Sequence, residues 1–368
     1  MSVYSILQRF SQIELERGLA ETSFRDVENA LGKNRLTAMD FLSLLSVHAE
    51  PYLEEMAQKA HRLTLNHFGR VIHFFTPMYL SNFCNNHCVY CGFNAKNTIE
   101  RKHLTLDEVE REAEAISRSG LKHILILTGE DPVYGSLEYL EGCVSILKNH
   151  FSSIAIEIYA LSEEGYARLE KAGVDSLTIY QETYDEVLYS ILHPKGPKKD
   201  YRYRLDAPER GLKARLRAVG VGALLGLADW RKDIFYTALH ADYLLTHYPE
   251  AEISISLPRI RPHEGCYQPA FLVEDIHIVQ MMTAIRLFLP RVGITISTRE
   301  SAAFRDNILR LGVTRMSAGS TTAVGGHTQD TSQTGQFEIA DRRSVDEMTR
   351  SIKQLGYQPV FKDWHPIL

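Results

Sequence analysis

The 368-residue chain has little cysteine and tryptophan, and it has no long run of apolar or of basic residues. Five cysteines, clustered and odd in number, argue against a disulfide framework and favour metal or redox chemistry. No window approaches the roughly 18 uninterrupted apolar residues of a membrane span, and the N-terminus lacks a secretory apolar core. Because the formal net charge is −5 and no basic run occurs, we expect a cytoplasmic protein with neither a nucleic-acid nor a membrane partner.

What the chain does contain is a regular alternation of apolar and amphipathic segments. Residues 11–66 have apolar positions three and four apart, which predicts helices. From residue 71 onward eight short apolar segments appear: VIHFFTPM, HILILT, IAIEIYA, DSLTIY, VGALLG, EISISL, VGITIS and VTRMS. Eight strands alternating with helices over roughly 250 residues predict an α/β fold, a TIM-type (β/α)8 barrel with its catalytic groups on loops at the strand C-termini. A doubly wound open sheet is the alternative.

The same pattern divides the chain into three parts. Residues 1–70 are expected to form an N-terminal helical extension and residues 71–320 the barrel. Residues 321–368 are expected to form a C-terminal loop, a helix and a tail that pack on the barrel. The polar, Gly-rich stretch at residues 319–341 is long for a loop, and loops of this length are often functional or disordered.

Three of the five cysteines lie in one segment, SNFCNNHCVYCGFNAK. Cys84, Cys88 and Cys91 directly follow the first predicted strand, which places them at the mouth of the predicted barrel. A closed zinc site and an ordinary ferredoxin cluster each take four protein ligands, whereas three thiolates on a [4Fe-4S] cluster leave one iron open. A zinc site is the alternative. Cys143 is expected to be a small core residue of a helix, and Cys266 lies in a loop.

The spacing C-x3-C-x2-C, with Tyr90 before the third cysteine and Gly92 after it, resembles the signature of the radical S-adenosylmethionine (radical SAM) enzymes. This resemblance implies a [4Fe-4S] cluster on the three cysteines, with S-adenosylmethionine as the ligand of its open iron. In that superfamily a Gly-Gly-Glu-like segment after the second strand binds the cofactor amine. Thr128, Gly129 and Glu130 resemble that segment.

Other cofactor contacts follow from a resemblance to biotin synthase and its relatives. Glu182 in YQETY corresponds to their ribose-binding stretch, and Arg204 in YRYRLDAPER to an arginine that faces the cofactor carboxylate. Tyr90 is assigned to the same cofactor site. Glu157 is a further candidate, because a charged residue among apolar strand residues needs a partner or a wet barrel mouth.

Over essentially the whole chain, the segments PMYLSNFCNNHCVYCGF, LTGE, YQETY, SLPRIRP, STRES and QPVFKDWHPIL resemble the 2-iminoacetate synthase family, the tyrosine lyases of bacterial thiamine thiazole synthesis. The resemblance implies that S-adenosylmethionine yields a 5'-deoxyadenosyl radical, which takes a hydrogen from the amino group of L-tyrosine. The Cα–Cβ bond then breaks to give 2-iminoacetate and p-cresol. It also implies two partners, a thiazole synthase subunit and a flavodoxin- or ferredoxin-type reductant.

Three alternatives stay open. The related tryptophan lyases have a similar site. The tyrosine lyases of [FeFe]-hydrogenase maturation carry a second, C-terminal cluster, and they are disfavoured because no cysteine follows Cys266. A non-catalytic zinc- or cluster-binding module is the alternative from a different class.

The resemblance also implies substrate contacts at the ends of the later strands. Arg299 in STRES is the candidate partner of the tyrosine carboxylate, and the alternative is an ion pair between Arg299 and Glu300. Ser317 and Ser320 in RMSAGS are candidates for the substrate amine, with Ser317 preferred.

Three more residues are candidate substrate contacts. Tyr79 corresponds to a tyrosine beside the substrate of the tryptophan lyase, and the alternative is a core aromatic. Arg259 and Arg261 in LPRIRP point the same way because a strand repeats every two residues, so they bind either a substrate anion or structural carboxylates. The tail, which includes Trp364, is expected near the active site.

Overall fold

A closed barrel of parallel strands forms the centre of the protein in a computed structural model that describes residues 2–265, 267–328 and 335–362. The first strand pairs with both the second and the eighth, which closes the sheet and confirms the predicted (β/α)8 barrel. The barrel strands are β1 (Val71–Ser81), β2 (His123–Thr128), β3 (Ser153–Glu157), β4 (Ser176–Thr178), β5 (Ala218–Gly222), β6 (Glu252–Ser256), β7 (Gly293–Ile296) and β8 (Arg315–Ser317).

Helices precede the barrel and alternate with its strands. Those before β1 are α1 (Val3–Leu7), α2 (Gln12–Glu21), α3 (Phe24–Gly32), α4 (Ala38–Leu45) and α5 (Leu53–Phe68), with a 3-10 helix at Val47–Tyr52. Those after β1 are α6 (Leu106–Ser117), α7 (Leu137–Leu147), α8 (Glu163–Ala172), α9 (Glu186–Leu192), α10 (Tyr201–Leu205), α11 (Ala207–Lys213), α12 (Trp230–His247), α13 (Asp275–Phe288), α14 (Ala302–Ile308) and α15 (Val345–Gln354), with 3-10 helices at Pro197–Lys199 and Leu309–Leu311. No described helix combines the length and the apolar character needed to cross a bilayer.

Many of these helices begin where the local sequence provides a cap. A Ser or Thr side chain accepts a hydrogen bond from the backbone three residues later, and an acidic side chain at that position accepts one in return. The pairs are Ser11 with Glu14, Ser23 with Asp26, Thr37 with Asp40, Thr105 with Glu108, and Ser344 with Glu347. Short sequence motifs therefore determine where these helices begin.

The fifth strand begins three residues earlier than the apolar run VGALLG predicts. It spans Ala218–Gly222, and Ala223 and Leu225 follow it in isolated bridges. Its glycines are required by close packing, since a Cβ at Gly222 would lie 2.7 Å from the Ser256 carbonyl oxygen. An apolar pattern in the sequence gives no sign of this packing, so the start of the predicted strand is wrong by three residues.

A ninth strand, β9 (Gln358–Val360), pairs with residues 71–73 at the amino end of β1. Phe361 follows it and packs against Phe74 with 5.8 Å between ring centroids. The tail residues that the structure describes therefore lie at the amino end of β1, whereas the cysteines follow its carboxyl end. Trp364, which was expected near the active site, lies outside the described residues.

A buried ion pair ties the C-terminal segment to the barrel. Arg305 on α14 is fully buried; its guanidinium contacts the Asp341 carboxylate and donates to the backbone oxygen of Ser317. Arg343 contacts the same carboxylate at 2.8 Å. A buried charge is costly without a partner, so Asp341 fixes where this segment crosses the carboxyl end of the barrel.

We expect Asp341→Ala to lower the free energy of unfolding by about 3–5 kcal/mol, because it leaves the buried Arg305 unpaired. Urea denaturation followed by circular dichroism measures the change. The control is Glu21→Gln, which removes a carboxylate from the exposed Arg17–Glu21 pair and is expected to leave the unfolding midpoint unchanged. Equal midpoints for all three proteins would contradict the assigned role of Asp341.

Candidate active site

The three cysteines lie in a loop whose backbone carbonyls are bonded largely by side-chain amides. The Cys91 N–H donates to the Cys88 carbonyl at 3.2 Å. The Asn94 amide donates to the same Cys88 carbonyl at 2.9 Å, and the Asn97 amide donates to the Gly92 carbonyl at 3.0 Å. The loop is therefore ordered by side-chain amides that replace the backbone partners of a helix or strand.

The three cysteine thiols are free of disulfides, and two of them, Cys84 and Cys91, lie next to amide donors. Asn86 Nδ2 lies 3.7 Å from Cys84 Sγ, and Gln336 Nε2 lies 3.8 Å from Cys91 Sγ. Burial raises the pKa of Cys88 to about 12, so without a metal its thiol stays protonated. Thiols of this kind, with N–H donors beside the sulfur, suit metal binding, which deprotonates them.

Glycine lets two backbone segments approach the cysteine loop closely. A Cβ at Gly129 would lie 2.2 Å from the Phe83 carbonyl oxygen and 3.0 Å from Cys84 Cβ. A Cβ at Gly92 would lie 2.6 Å from the Gln336 carbonyl oxygen. Neither position has room for a side chain, so glycine is what allows this close packing of the loop.

The donor set fits a cluster of several iron atoms. In residues 2–265, 267–328 and 335–362, no group of three or more His, Cys, Asp or Glu side chains is arranged around one metal ion. In a [4Fe-4S] cluster each thiolate binds its own iron, so the sulfurs need not converge on one point. The three thiols and the two amide donors beside them match that requirement.

Glu182 lies four residues after the end of β4 and contacts two cations. Its Oε1 atom lies 2.5 Å from Lys198 Nζ and 3.2 Å from Arg204 Nη2, and Arg204 Nε donates to the Tyr180 carbonyl at 2.6 Å. Burial alone would raise the pKa of Glu182, but Lys198 and Arg204 outweigh burial and hold that pKa below its usual value. Glu182 is therefore a carboxylate with acceptor capacity. The sequence motifs did not indicate Lys198.

The backbone at Glu182 adopts φ of +72°, which is uncommon for a residue with a side chain. The following residues are held by Asp233 on α12. Asp233 accepts hydrogen bonds from the Thr183 hydroxyl at 3.0 Å and the Tyr184 N–H at 2.8 Å. These contacts keep the strained turn in place and aim the Glu182 side chain.

Asn86 connects the cysteine loop to both predicted cofactor segments. Its Nδ2 atom lies 2.6 Å from Glu130 Oε2, and its Oδ1 atom accepts a hydrogen bond from the Lys198 N–H at 2.9 Å. Thr128 and Gly129 precede Glu130 at the end of β2, next to Cys84. The structure thus brings together the cysteine, TGE and QET segments that the sequence singled out.

Tyr90 is buried in a small apolar cluster beside the loop. Its hydroxyl lies 2.6 Å from His193 Nε2, and burial lowers the pKa of His193 to about 3. Because His193 is therefore neutral and its Nδ1 lies 2.8 Å from the Tyr189 carbonyl, its Nε2 accepts the proton of Tyr90. This bond fixes the ring of Tyr90, a residue that lies between Cys88 and Cys91 in the sequence.

A cavity at the carboxyl end of the barrel lies beside the loop. The candidate substrate residues that line it are Tyr79, Arg299 and Ser317, and Glu157, which was a candidate for the cofactor site, lines it as well. It adjoins a larger cavity of about 690 Å³ that extends to the amino end of the barrel, where Phe68 and Leu287 line it. The residues common to both are Phe75, Leu125, Tyr180, Ser256 and Thr295. The two cavities thus meet inside the barrel.

Arg299 presents a guanidinium to this cavity. Among the described residues no carboxylate forms an ion pair with it; it stacks on the Phe337 ring at 3.4 Å and donates to the Arg259 carbonyl at 3.3 Å. Burial lowers its pKa, as expected for a cation away from water. An incoming carboxylate would relieve that cost.

Glu300 pairs with other arginines. Its carboxylate accepts from Arg259 Nε at 3.0 Å and from Arg261 Nη2 at 2.9 Å. The alternative Arg299–Glu300 pair is therefore not formed. Arg259 and Arg261 do not line the cavity, so the geometry supports structural ion pairs, the second of the two roles considered for them.

The remaining cavity residues supply polar groups of different character. Ser317 Oγ accepts the Thr298 N–H at 3.0 Å, which leaves its own proton to donate. Burial raises the pKa of Glu157 to about 7, although Arg299 opposes the rise. Burial also raises the pKa of Tyr79 well above its usual value, so the phenol stays protonated. Ser320 does not line the cavity, and its buried hydroxyl has no hydrogen-bond partner among the residues that the structure describes.

A closed barrel with three thiols on the loop after its first strand defines the class of radical SAM enzymes. The model of the Radical SAM superfamily matches residues 78–234, and that of the Biotin and Thiamin Synthesis associated domain matches residues 256–358. Together the two matches cover the cysteine loop, the segments that contain Glu130, Glu182 and Arg204, and the cavity residues Arg299 and Ser317.

Two curated relatives match almost from end to end. The 2-iminoacetate synthase of Salmonella typhimurium is 40% identical over 92% of this chain and 90% of its own length. That of Escherichia coli is 40% identical over 93% of this chain and 91% of its own length. The chain therefore belongs to the 2-iminoacetate synthase family. Among solved structures, HydG, a maturase of the [FeFe]-hydrogenase, superposes with a TM-score of 0.89 and 32% identity, covering 96% of this chain and 80% of that one.

We expect Gly129→Ala to abolish or strongly reduce iron binding, because its Cβ would collide with the Phe83 carbonyl and push Cys84 out of position. Iron and sulfide content after anaerobic reconstitution measures the effect. The matched control is Gly32→Ala at the end of α3, where nothing lies within 4 Å of the added Cβ. Full iron content in Gly129→Ala would show that the close packing at β2 does not constrain the loop.

Proposed function

We propose that this protein cleaves the Cα–Cβ bond of L-tyrosine to 2-iminoacetate and p-cresol for the thiazole of thiamine. The observation that carries the proposal is one cavity lined by Ser317, Tyr79 and the guanidinium of Arg299, which has no carboxylate partner among the described residues. The 40% identity to two 2-iminoacetate synthases supports the choice of reaction.

We propose that Cys84, Cys88 and Cys91 hold a [4Fe-4S] cluster whose open iron binds S-adenosylmethionine. Held there, the two groups would supply the radical chemistry that removes a hydrogen atom from the substrate. Glu130, which shares the Asn86 side-chain amide with Cys84, accepts hydrogen bonds from the cofactor amine.

The same proposal assigns the QET and arginine segments. Glu182 accepts hydrogen bonds from the ribose hydroxyls, since its neighbours keep it ionised. Arg204 shares one N–H group with Glu182 and offers others to the cofactor carboxylate. Tyr90, fixed by His193, packs at the base of this region.

On the substrate side, Arg299 binds the tyrosine carboxylate and Ser317 donates or accepts at the amine. Glu157, with a pKa near 7, is able to hold or release a proton at neutral pH close to that amine. The phenol ring extends into the barrel past Phe75 and Leu125, where the cavity widens. The barrel wall keeps water from the reacting atoms, which reactive radicals require.

Two partners and a compartment complete the proposal. 2-Iminoacetate hydrolyses readily, so direct transfer to a thiazole synthase subunit is expected. A flavodoxin- or ferredoxin-type protein reduces the cluster. Unpaired thiols at Cys84, Cys88 and Cys91 fit the reducing cytoplasm.

The reaction is tested by its products. The anaerobically reconstituted protein with dithionite, S-adenosylmethionine and L-tyrosine should release p-cresol and 5'-deoxyadenosine, and p-cresol should be absent when tyrosine is omitted. An indole product formed with L-tryptophan in place of p-cresol would identify a tryptophan lyase instead. Chromatography of both reactions side by side distinguishes the two.

We expect Arg299→Gln to raise the KM for tyrosine by roughly 10- to 100-fold, because it removes a charged hydrogen-bond donor from the carboxylate site. Binding of S-adenosylmethionine should change little. The control is Arg202→Gln, which removes an exposed guanidinium that stacks on Tyr4. If Arg299→Gln and Arg202→Gln have the same KM, the carboxylate is bound elsewhere.

A further inference from the structure

The side chain of Gln336 lies between the cysteine loop and the substrate cavity. Its Oε1 atom accepts a hydrogen bond from the Tyr79 hydroxyl at 2.8 Å. Its Nε2 atom lies 3.8 Å from Cys91 Sγ. Tyr79 lines the cavity that also contains Arg299. A single amide thus contacts a proposed cluster ligand at one end and a proposed substrate residue at the other.

The chemistry of its two neighbours dictates which way this amide faces. A metal-bound thiolate has no proton and can only accept, so the N–H end of the amide must face Cys91. The carbonyl end then faces Tyr79, whose hydroxyl must donate. Binding of a cluster therefore fixes the direction of the Tyr79 O–H bond through Gln336.

The backbone around Gln336 is held by three contacts. Its N–H donates to the Thr322 carbonyl at 3.2 Å, and the Thr322 hydroxyl donates to the Phe337 carbonyl at 2.9 Å. Gly92 packs directly on the carbonyl of Gln336. Because the neighbouring Phe337 ring lies against Arg299, the segment spans the whole distance from cluster loop to carboxylate site.

We infer that Gln336 is a positioning residue of the lyase reaction. Its N–H group stabilises negative charge on the Cys91 sulfur, and its carbonyl accepts the Tyr79 proton, which leaves the phenol oxygen as an acceptor for the substrate amine. The inference rests on the proposed function, in that it takes Cys91 as a cluster ligand and Tyr79 as a substrate contact. Nothing in the sequence motifs pointed to Gln336.

Loss of the Gln336 side-chain amide should have two separate effects, one on the cluster and one on Tyr79. Hydrogen bonds to cluster sulfurs raise the reduction potential, because the reduced cluster carries more negative charge. Loss of the N–H group should therefore lower the potential. Loss of the carbonyl should leave Tyr79 misdirected, so that S-adenosylmethionine is cleaved without productive use of the radical.

The experiment compares Gln336→Leu, Gln336→Glu and Tyr79→Phe with the wild-type holoenzyme. Redox titration followed by electron paramagnetic resonance gives the midpoint potential of the cluster. We expect a lower potential in both Gln336 variants, and the lowest in Gln336→Glu because it adds negative charge beside Cys91. Tyr79→Phe keeps the amide and should retain a potential close to that of the wild type.

The ratio of 5'-deoxyadenosine to p-cresol gives the second readout. In Gln336→Leu and Tyr79→Phe we expect p-cresol formation to fall by roughly 10- to 100-fold while cofactor cleavage continues. Gln336→Glu keeps an acceptor for the phenol, so its ratio should lie closer to that of the wild type. A merely structural residue would not separate the two readouts in this way.

The matched control is Gln58→Leu on α5, which makes the same chemical change at an exposed glutamine bonded to Glu54. Its potential and its product ratio should equal those of the wild type. A Gln336→Leu potential equal to that of Gln58→Leu would overturn the inference.

Should Gln336→Leu fail to fold, Gln336→Asn replaces it, since the shorter amide cannot reach both partners and the same drop in potential is expected. Failure to bind iron with an unchanged circular dichroism spectrum would support the contact with Cys91. If the wild type makes no p-cresol, the proposed function fails, whereas the potentials still test Gln336 against Cys91.

Discussion

Close packing of the cysteine loop against the end of β2 is the constraint on which the rest of the site depends. Gly129 has no side chain because the Phe83 carbonyl occupies that space. The Asn85 N–H also donates to the Glu130 carbonyl at 2.8 Å, so the loop and the end of β2 form one unit. The position of Cys84 relative to Glu130 follows directly from this packing.

Polar contacts extend that unit across the carboxyl end of the barrel. Asn86 contacts Cys84, Glu130 and Lys198, and Lys198 in turn holds Glu182. On the other side, Gln336 connects Cys91 to Tyr79. The residues proposed to bind the cofactor and those proposed to bind the substrate are thus fixed to the same loop from opposite sides. A barrel is suited to this arrangement because all eight strand ends converge on one face.

Local patterns in the sequence were sufficient for the barrel and for the cysteine loop. The thiol spacing lies within eight residues, and the capping boxes lie within four, so both are visible in a short stretch of chain. The placement of β5 failed because close approach of Gly222 to Ser256 depends on a neighbouring strand. β9 was missed because its three residues form a strand only by pairing with β1.

The contacts that complete the site join residues far apart in sequence. Tyr79 and Gln336 are 257 positions apart, and Asn86 and Lys198 are 112 apart, so no local pattern indicates either pair. The pairing of Glu300 with Arg259 and Arg261 was equally invisible, and without it both arginines resembled an anion-binding face. Motifs thus predicted which segments meet, whereas the partner of each arginine and amide is set by the three-dimensional fold.

The central claim is that three cysteines leave one iron of the cluster open to S-adenosylmethionine beside the amino-acid cavity. Electron-nuclear double resonance of the reduced cluster, with S-adenosylmethionine labelled by nitrogen-15 in its amino group and oxygen-17 in its carboxylate, tests it directly. The account predicts hyperfine coupling of both labels to the cluster. A cluster spectrum that shows no coupling to either label, with S-adenosylmethionine present in excess, would contradict it.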